Sequence, residues 1–494
     1  MKNPLSICFV SPQIAPFVQQ AEMAEIAAQL PIALKEIGHD VRVMMPNYKS
    51  VNERKFVLRD VIRLRDMSMN LGDQEIKISA KSSFLPDSKV QVYFLDNKSY
   101  FGRPGIYIDP ATGKPFPDNA ERFAAFCLGC LQTLRVLHWQ PDVIHCFDWP
   151  AGLLPLYLKT VFADEEFFAK TKFIFTFNGY SPLAEFSSET PQKIGLSEYL
   201  VEQATELFTG KKFNALKAGI AYSDLVLVGS ESLAQEMMEE DILPDDVKSL
   251  LQTNKSKLVG MVSGINYKTW DPETDKYLAM NYNGRSVTRK VENKKILLDK
   301  VGLPYAEGVP LLSYHSGYST EKGADVVLKA IDDLLKLKCQ LVVLDEGDGS
   351  LKKEFEKKAK KHARQMALAP KSAEMKHLLL AGADIALFPA KHERLGSEAF
   401  RCLRYGTIPV AHASGVYKDS IIHFDAEAEQ GAGFLFKDNT AAALVKAVQS
   451  AVAIYRDAKK WQKLIRNALK ENHSWETVAT RFSKLYQKIA TQKK

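Results

Sequence analysis

The chain has 494 residues, 46% of them hydrophobic and 25% charged, which is too long for one core and suits two domains of ordinary globular composition. The formal charge of +7, from 66 Lys+Arg against 59 Asp+Glu, is spread along the whole chain. That excess is too dilute for a nucleic-acid footprint and reads as a solvated surface with mild attraction for anionic small molecules. No segment reaches the roughly 18–20 apolar residues that a membrane span needs. Only Lys2 precedes the apolar run at 7–10, which is too short for a signal-peptide core. A cytoplasmic protein with neither nucleic-acid nor membrane partners is expected.

Short apolar runs alternate with amphipathic stretches. Runs at 5–10, 40–45, 90–95, 143–145, 173–177 and 225–229 read as buried parallel strands. The stretches at 22–37 and 121–137 carry apolar residues at helical spacing, giving the βαβ rhythm of a doubly wound sheet. A second set of strands follows at 311–315, 339–344, 385–389, 407–411 and 433–436. The join lies around 262–304, rich in Asn, Lys, Pro and Tyr, and holds a linker and the first helix of a second domain. The chain ends in helix, with Trp461, Leu464, Ile465, Ala468 and Leu469 on one face and Trp475, Val478, Phe482 and Leu485 continuing the pattern. Two α/β domains of this kind place ligands at the carboxyl ends of their strands, facing the cleft between them.

Six cysteines are scattered along the chain. Cys127 and Cys130 form a CxxC, but they lie within a helical run with no second Cys or His pair nearby, so they read as core residues in a reducing compartment. The ten histidines show no HxxxH or clustered carboxylate pattern, and no metal site is expected. Neither a Walker loop nor a Ser-His-Asp order is present.

Several stretches are similar to segments of the ADP-glucose-dependent glycogen and starch synthases, retaining glucosyltransferases. They include Gly38-His-Asp-Val-Arg-Val, Tyr93-Phe-Leu-Asp, Tyr100-Phe-Gly-Arg-Pro-Gly-Ile-Tyr107 and Asp118-Asn-Ala-Glu-Arg-Phe123. His145-Cys-Phe-Asp-Trp149 with Ala151-Gly-Leu153 resembles the family's HxHDWHAGL segment. Asn214-Ala-Leu-Lys-Ala-Gly-Ile220, Ser263-Gly-Ile-Asn-Tyr267 and Trp270-Asp-Pro-Glu-Thr-Asp275 follow, then Glu321-Lys-Gly323, Gly347-Asp348, Ala381-Gly-Ala-Asp384 and Leu403-Arg-Tyr-Gly-Thr-Ile-Pro409. The matches are collinear over nearly the whole chain. The resemblance implies the GT-B fold: an α/β chain with an acceptor-side Rossmann-like domain at 1–262, a nucleotide-sugar-side domain at 263–474, and a helix at 475–494 packing back on the first domain. It also implies a nucleotide-sugar donor such as ADP-glucose as substrate, an α-glucan acceptor, and no cofactor.

Function rests on the site rather than the fold. The family's Lys-x-Gly-Gly-Leu loop, which faces the donor diphosphate, aligns with Gln19-Gln20-Ala21-Glu22-Met23. The cation and both glycines are replaced at Gln19, Ala21 and Glu22; an ordinary helix start explains the new sequence. Asp148 matches the aspartate of the HDW triplet, while the second histidine of that segment is Phe147. Asp148 reads equally as a functional group beside the sugars and as a brace for the turn. The Thr-Ile-His-Asn segment becomes Thr176-Phe177-Asn178-Gly179, so Asn178 offers a hydrogen bond where the family offers a titratable ring.

In the second domain the family's phosphate-clamping arginine is Gly317, while the lysine five residues on is retained as Lys322. The Glu-Pro-Cys-Gly-Leu-Thr-Gln turn becomes Glu393-Arg394-Leu395-Gly396-Ser397-Glu398-Ala399. Glu393, the family's essential carboxylate, and Gly396 are kept. Glu398 adds a negative charge at a helix start expected to receive phosphate; Arg394 or Arg401 would have to offset it. The candidate catalytic residues are therefore Glu393, Asp148 and Lys322, with Gly396, Ser397, Asn178 and Gly264 as candidate binding positions. Two readings stand: a catalytically impaired, glucan-binding or regulatory homologue, or an active glycosyltransferase with changed donor or acceptor. A structural subunit associated with an active synthase is a third, weaker one.

Overall fold

The computed structural model describes residues 4–347 and 350–491, so Asp348 lies outside the described residues. The chain divides into two units: Met1–Val228, Gln235–Gly260 and Glu476–Lys494 form the first, and Gly229–Ala234 with Met261–Trp475 form the second.

The first unit is built on a ten-stranded sheet. In chain order its main elements are β1 (Ser6–Val10), α1 (Met23–Glu36), β2 (Asp40–Pro46), β3 (Gln74–Phe84), β4 (Gln91–Asp96), α2 (Asn119–Val136), β5 (Val143–Phe147), α3 (Leu153–Lys159), β6 (Lys172–Thr176), α4 (Ala215–Tyr222), β7 (Leu225–Val228) and β8 (Leu258–Gly260). The sheet runs β8-β7-β6-β5-β1-β2-β4-β3, with Arg59–Asp60 at the β3 edge and Met67–Leu71 also paired to β3. From β8 to β4 the pairing is parallel; β3 is antiparallel to β4.

The parallel strands are buried on both faces and so appear as unbroken apolar runs. β5 extends two residues beyond the run at 143–145, because Cys146 and Phe147 are also fully buried. The antiparallel edge escapes the sequence reading because β3 is half-solvated, burying only Ile78 and Ala80 in alternation. In the same unit the last helix takes up two buried histidines: His39 Nε2 bonds Ser483 Oγ at 2.8 Å and His145 Nδ1 bonds Tyr486 Oη at 2.7 Å.

The second unit has α5 (Lys290–Lys300), β9 (Leu311–Tyr314), α6 (Ala324–Lys336), β10 (Gln340–Asp345), α7 (Ser350–Lys361), β11 (Met366–Pro370), α8 (Ala373–Gly382), β12 (Ile385–Phe388), α9 (Ser397–Arg404), β13 (Ile408–His412), β14 (Phe434–Phe436), α10 (Ala441–Tyr455) and α11 (Ala458–Lys470). A final helix, α12, covers Trp475–Thr491. Its sheet is six-stranded and parallel throughout, in the order β11-β10-β9-β12-β13-β14. β11 is missing from the sequence reading; it is an edge strand ending in a proline, where a ladder donor is dispensable.

Polar groups inside this sheet are tied in by charge. Lys294 Nζ donates to Asp384 Oδ2 and to the Val309 carbonyl, each at 2.6 Å, and Asp384 Oδ2 also accepts from the Leu311 N–H. No helix among the described residues is long and apolar enough to cross a membrane. All six cysteines are free thiols buried in the cores.

Candidate functional site

The turn between β1 and α1 is held by neutral hydrogen bonds. Gln13, buried, accepts from the Gln20 N–H at 2.9 Å through its amide oxygen and donates to Tyr107 Oη at 3.2 Å. This leaves Gln19, Gln20, Ala21 and Glu22 on the exposed rim of the unit. Glu22 is the N-cap of α1, and the first-turn acid Glu25 complements the helix dipole.

Next to this, β5 ends at Asp148, which adopts a left-handed φ of 60° and accepts from its neighbour's Trp149 N–H at 2.7 Å. Asp is among the few residues that tolerate that conformation. Burial pushes the Asp148 carboxyl up to about 6, against the lowering effect of the Trp149 N–H. His145 sits in the sheet beneath, between Tyr486 Oη and Thr176 Oγ1 (2.6 Å), and burial pushes its ring down to about 3, so it is a neutral hydrogen-bonding imidazole. Phe147 stacks on that ring with centroids 4.4 Å apart, which is why an aromatic residue fits there as core. Asn178 Oδ1 is buried with no hydrogen-bond partner among the described residues.

In the second unit the residues around β12 and α9 converge on Glu393, which is 3% exposed. Its backbone is clamped: its N–H donates to Ser414 Oγ at 3.2 Å and its carbonyl accepts from the Val416 N–H at 3.0 Å. Oε1 accepts the N–H groups of Leu395 and Gly396 at 3.1 and 3.0 Å, and Oε2 is 3.4 Å from Lys322 Nζ. Gly396 makes this possible. It caps α9 with φ 76°, and a Cβ there would lie 2.6 Å from the Val416 side chain. Ser397 opens the helix. Lys322 comes from the loop after β9, where Gly323 at φ 78° lets the chain pass Pro389, whose carbonyl a Cβ would meet at 2.0 Å.

Glu398 is compensated by cations, and Arg401, one of the two offsets open from the sequence, is among them. Its side chain, 16% exposed, pairs with Lys376 of α8 at 2.8 Å and Arg401 at 2.5 Å, and lies 3.5 Å from His315. Burial raises its carboxyl, but Arg401, Lys376 and His315 override that and hold it well below the usual carboxylate range. Arg401 is thereby fixed between Glu398 and the Trp270 ring, 4.4 Å away, and does not stand in for an arginine at 317. Gly317 itself has φ 77°, and a Cβ there would lie 3.2 Å from the Glu346 carbonyl, so a side chain at this position would be strained. The structure places Gly264 in packing, with a Cβ position 3.1 Å from both His473 O and Trp475. Asp148, Asn178 and the 19–22 segment lie in the first unit, while Gly264, Lys322, Glu393, Gly396, Ser397, Glu398 and Gly317 lie in the second. Sequence reading missed Lys376 and His315 at the α9 turn, for neither lies near it in the chain.

Two Rossmann-like units give the chain the GT-B fold of glycosyltransferases. Residues 6–252 match the starch synthase catalytic domain and 299–471 match glycosyl transferases group 1. The glycogen synthase of Chlorobium limicola is 36% identical over 99% of both chains. That of Chlorobaculum tepidum is 33% identical, again over 99% of each. Among solved structures, the catalytic domain of starch synthase IV from Arabidopsis thaliana, bound to ADP and acarbose, superposes with a TM-score of 0.86 at 23% identity, covering 99% of this chain and 100% of that one. Sucrose-phosphate synthase from Thermosynechococcus elongatus shares the fold at a TM-score of 0.57 and 15% identity, over 98% of each chain. The chain belongs to the glycogen synthase family.

Proposed function

We propose that this family member is an α-glucan-binding protein in which nucleotide-sugar turnover is strongly reduced. One observation carries the reading: of the cations at the α9 turn, Lys322, Lys376 and Arg401 are paired with carboxylates there, which leaves Arg394. Lys376 and Arg401 hold Glu398, Lys322 shares Glu393, and position 317 is a left-handed glycine. Four cations, Arg394 included, against the two carboxylates Glu393 and Glu398 leave about two net positive charges for a leaving diphosphate that carries several negative ones. Each missing electrostatic partner of this kind typically lowers a rate by roughly 10²–10³. The exposed Gln19–Glu22 segment adds no cation.

A second reading, an active transferase, draws on a different observation. Glu393 is preorganised by two main-chain N–H groups and Lys322, as a group acting on a sugar would be. In the first unit, burial pushes the Asp148 carboxyl up to about 6, which keeps a second acid available for proton transfer near neutral pH.

Titration of the purified protein with ADP, ADP-glucose and UDP-glucose, together with transfer of labelled glucose to glycogen, separates the two. Retention on a glycogen matrix without micromolar nucleotide binding or transfer is the expected result. Transfer that Glu393→Gln abolishes would overturn the first reading in favour of the second. Failure to bind glycogen would remove the glucan.

A further inference from the structure

The second unit holds a cavity of about 510 Å³ away from the α9 turn, of the size that small-molecule sites occupy. Its cations are Arg285, Arg404, Arg466 and Lys470, against two carboxylates, Asp271 and Glu273. The carboxylates are already engaged. Arg404 donates to Asp271 Oδ2 at 2.7 Å, and Asn283 donates to Glu273 Oε1 at 2.9 Å. Arg404 is further pinned over the Tyr267 ring at 4.4 Å, giving the cavity a fixed guanidinium. Arg285, Arg466 and Lys470 are exposed and have no carboxylate partner among the described residues; Arg466 bonds only the neutral Gln462 amide at 3.2 Å. One wall is apolar, formed by Leu469; behind it Tyr282 is buried, with its hydroxyl bonded to the Tyr405 carbonyl at 2.6 Å.

We propose that this cavity is a binding site for a small phosphate monoester, the phosphate lying among the three unpaired cations and its organic group against Leu469. Surplus positive charge around a concave site concentrates anions, and guanidinium groups match phosphate oxygens in pairs. The apolar contact at Leu469 favours an ester over a bare ion. The site is separate from the donor turn and does not rest on the reading of it. Arg404 ends α9 whereas Glu393 precedes its start, so the length of that helix, roughly 10 Å at 1.5 Å per residue, lies between them.

The test is calorimetric titration of the full chain with inorganic phosphate, glucose 1-phosphate and AMP, with sulfate as control. An ester should bind at least tenfold tighter than inorganic phosphate or sulfate. Arg285→Ala/Arg466→Ala/Lys470→Ala, three exposed positions, should weaken it at least tenfold with an unchanged melting profile. Lys322→Ala, at the donor turn, should change it less than twofold. Equal binding of esters, phosphate and sulfate would overturn the proposal, as would no binding at 10 mM (about −2.7 kcal/mol). Binding lost in Lys322→Ala but kept in the triple variant would assign the ester to the donor turn and overturn it equally.

Discussion

The two strand-to-helix turns that the family resemblance assigns to phosphate carry new carboxylates, and they accommodate them in opposite ways. Glu22, at the β1–α1 turn, is exposed and stands at the N-cap position of α1 without a capping bond from its side chain. Glu398, at the β12–α9 turn, is buried and has recruited Lys376, Arg401 and His315. The difference is one of dielectric. A charge in water is stabilised by solvent, whereas one largely removed from it is tolerated only when paired and hydrogen-bonded. A replaced residue on the exposed turn therefore alters chemistry alone. On the α9 turn the carboxylate is held in ion pairs with Lys376 and Arg401.

The largest expected effect breaks the buried half of that contrast. Glu398→Ala leaves Lys376 and Arg401 facing each other without a counter-charge and should destabilise the second unit by about 3–5 kcal/mol in urea unfolding. The same carboxylate sets an acid limb. Its folded value lies below the unfolded one, so its stabilisation is complete above the unfolded value near 4.5 and is lost as pH falls below it. Glu398→Gln should flatten that part of the stability profile; an unchanged profile would assign acid sensitivity elsewhere.

Asp148 carries the opposite sign. Its folded value, about 6, lies above the unfolded 3.8, so the proton it holds favours the fold at low pH and that advantage is lost as pH rises through 6. Asp148→Asn keeps the bond to the Trp149 N–H and suits the left-handed backbone. It should stabilise the chain at pH 7–8 by about 1–2 kcal/mol, allowing for partial exposure, with little effect at pH 4.

A smaller loss, about 1 kcal/mol, is expected for Gly317→Ala from left-handed strain and the close Glu346 carbonyl. Denaturation that does not register Gly317→Ala would mean the loop relaxes freely. The smallest effect sharpens the exposed half of the contrast: Glu22→Ala should shift stability by about 0.5 kcal/mol or less.

The sequence by itself determined the doubly wound architecture, because strands buried on both faces must be written as continuous apolar runs. It also determined which groups the turns lack, since the absence of a cation at 317 or of a glycine at 21 is a matter of residue type. The half-solvated edge strand β3 was not legible, because its alternation is diluted by polar residues on both faces. Tertiary structure alone decided the fate of the charges that remained. Arg401 lies one helical turn from Glu398 and was a candidate partner from spacing. Lys376 and His315 arrive from α8 and from the end of β9, 22 and 83 residues away in the chain. A side chain's charge is fixed by the sequence, but its solvation and its counter-ions are set by elements that meet only on folding.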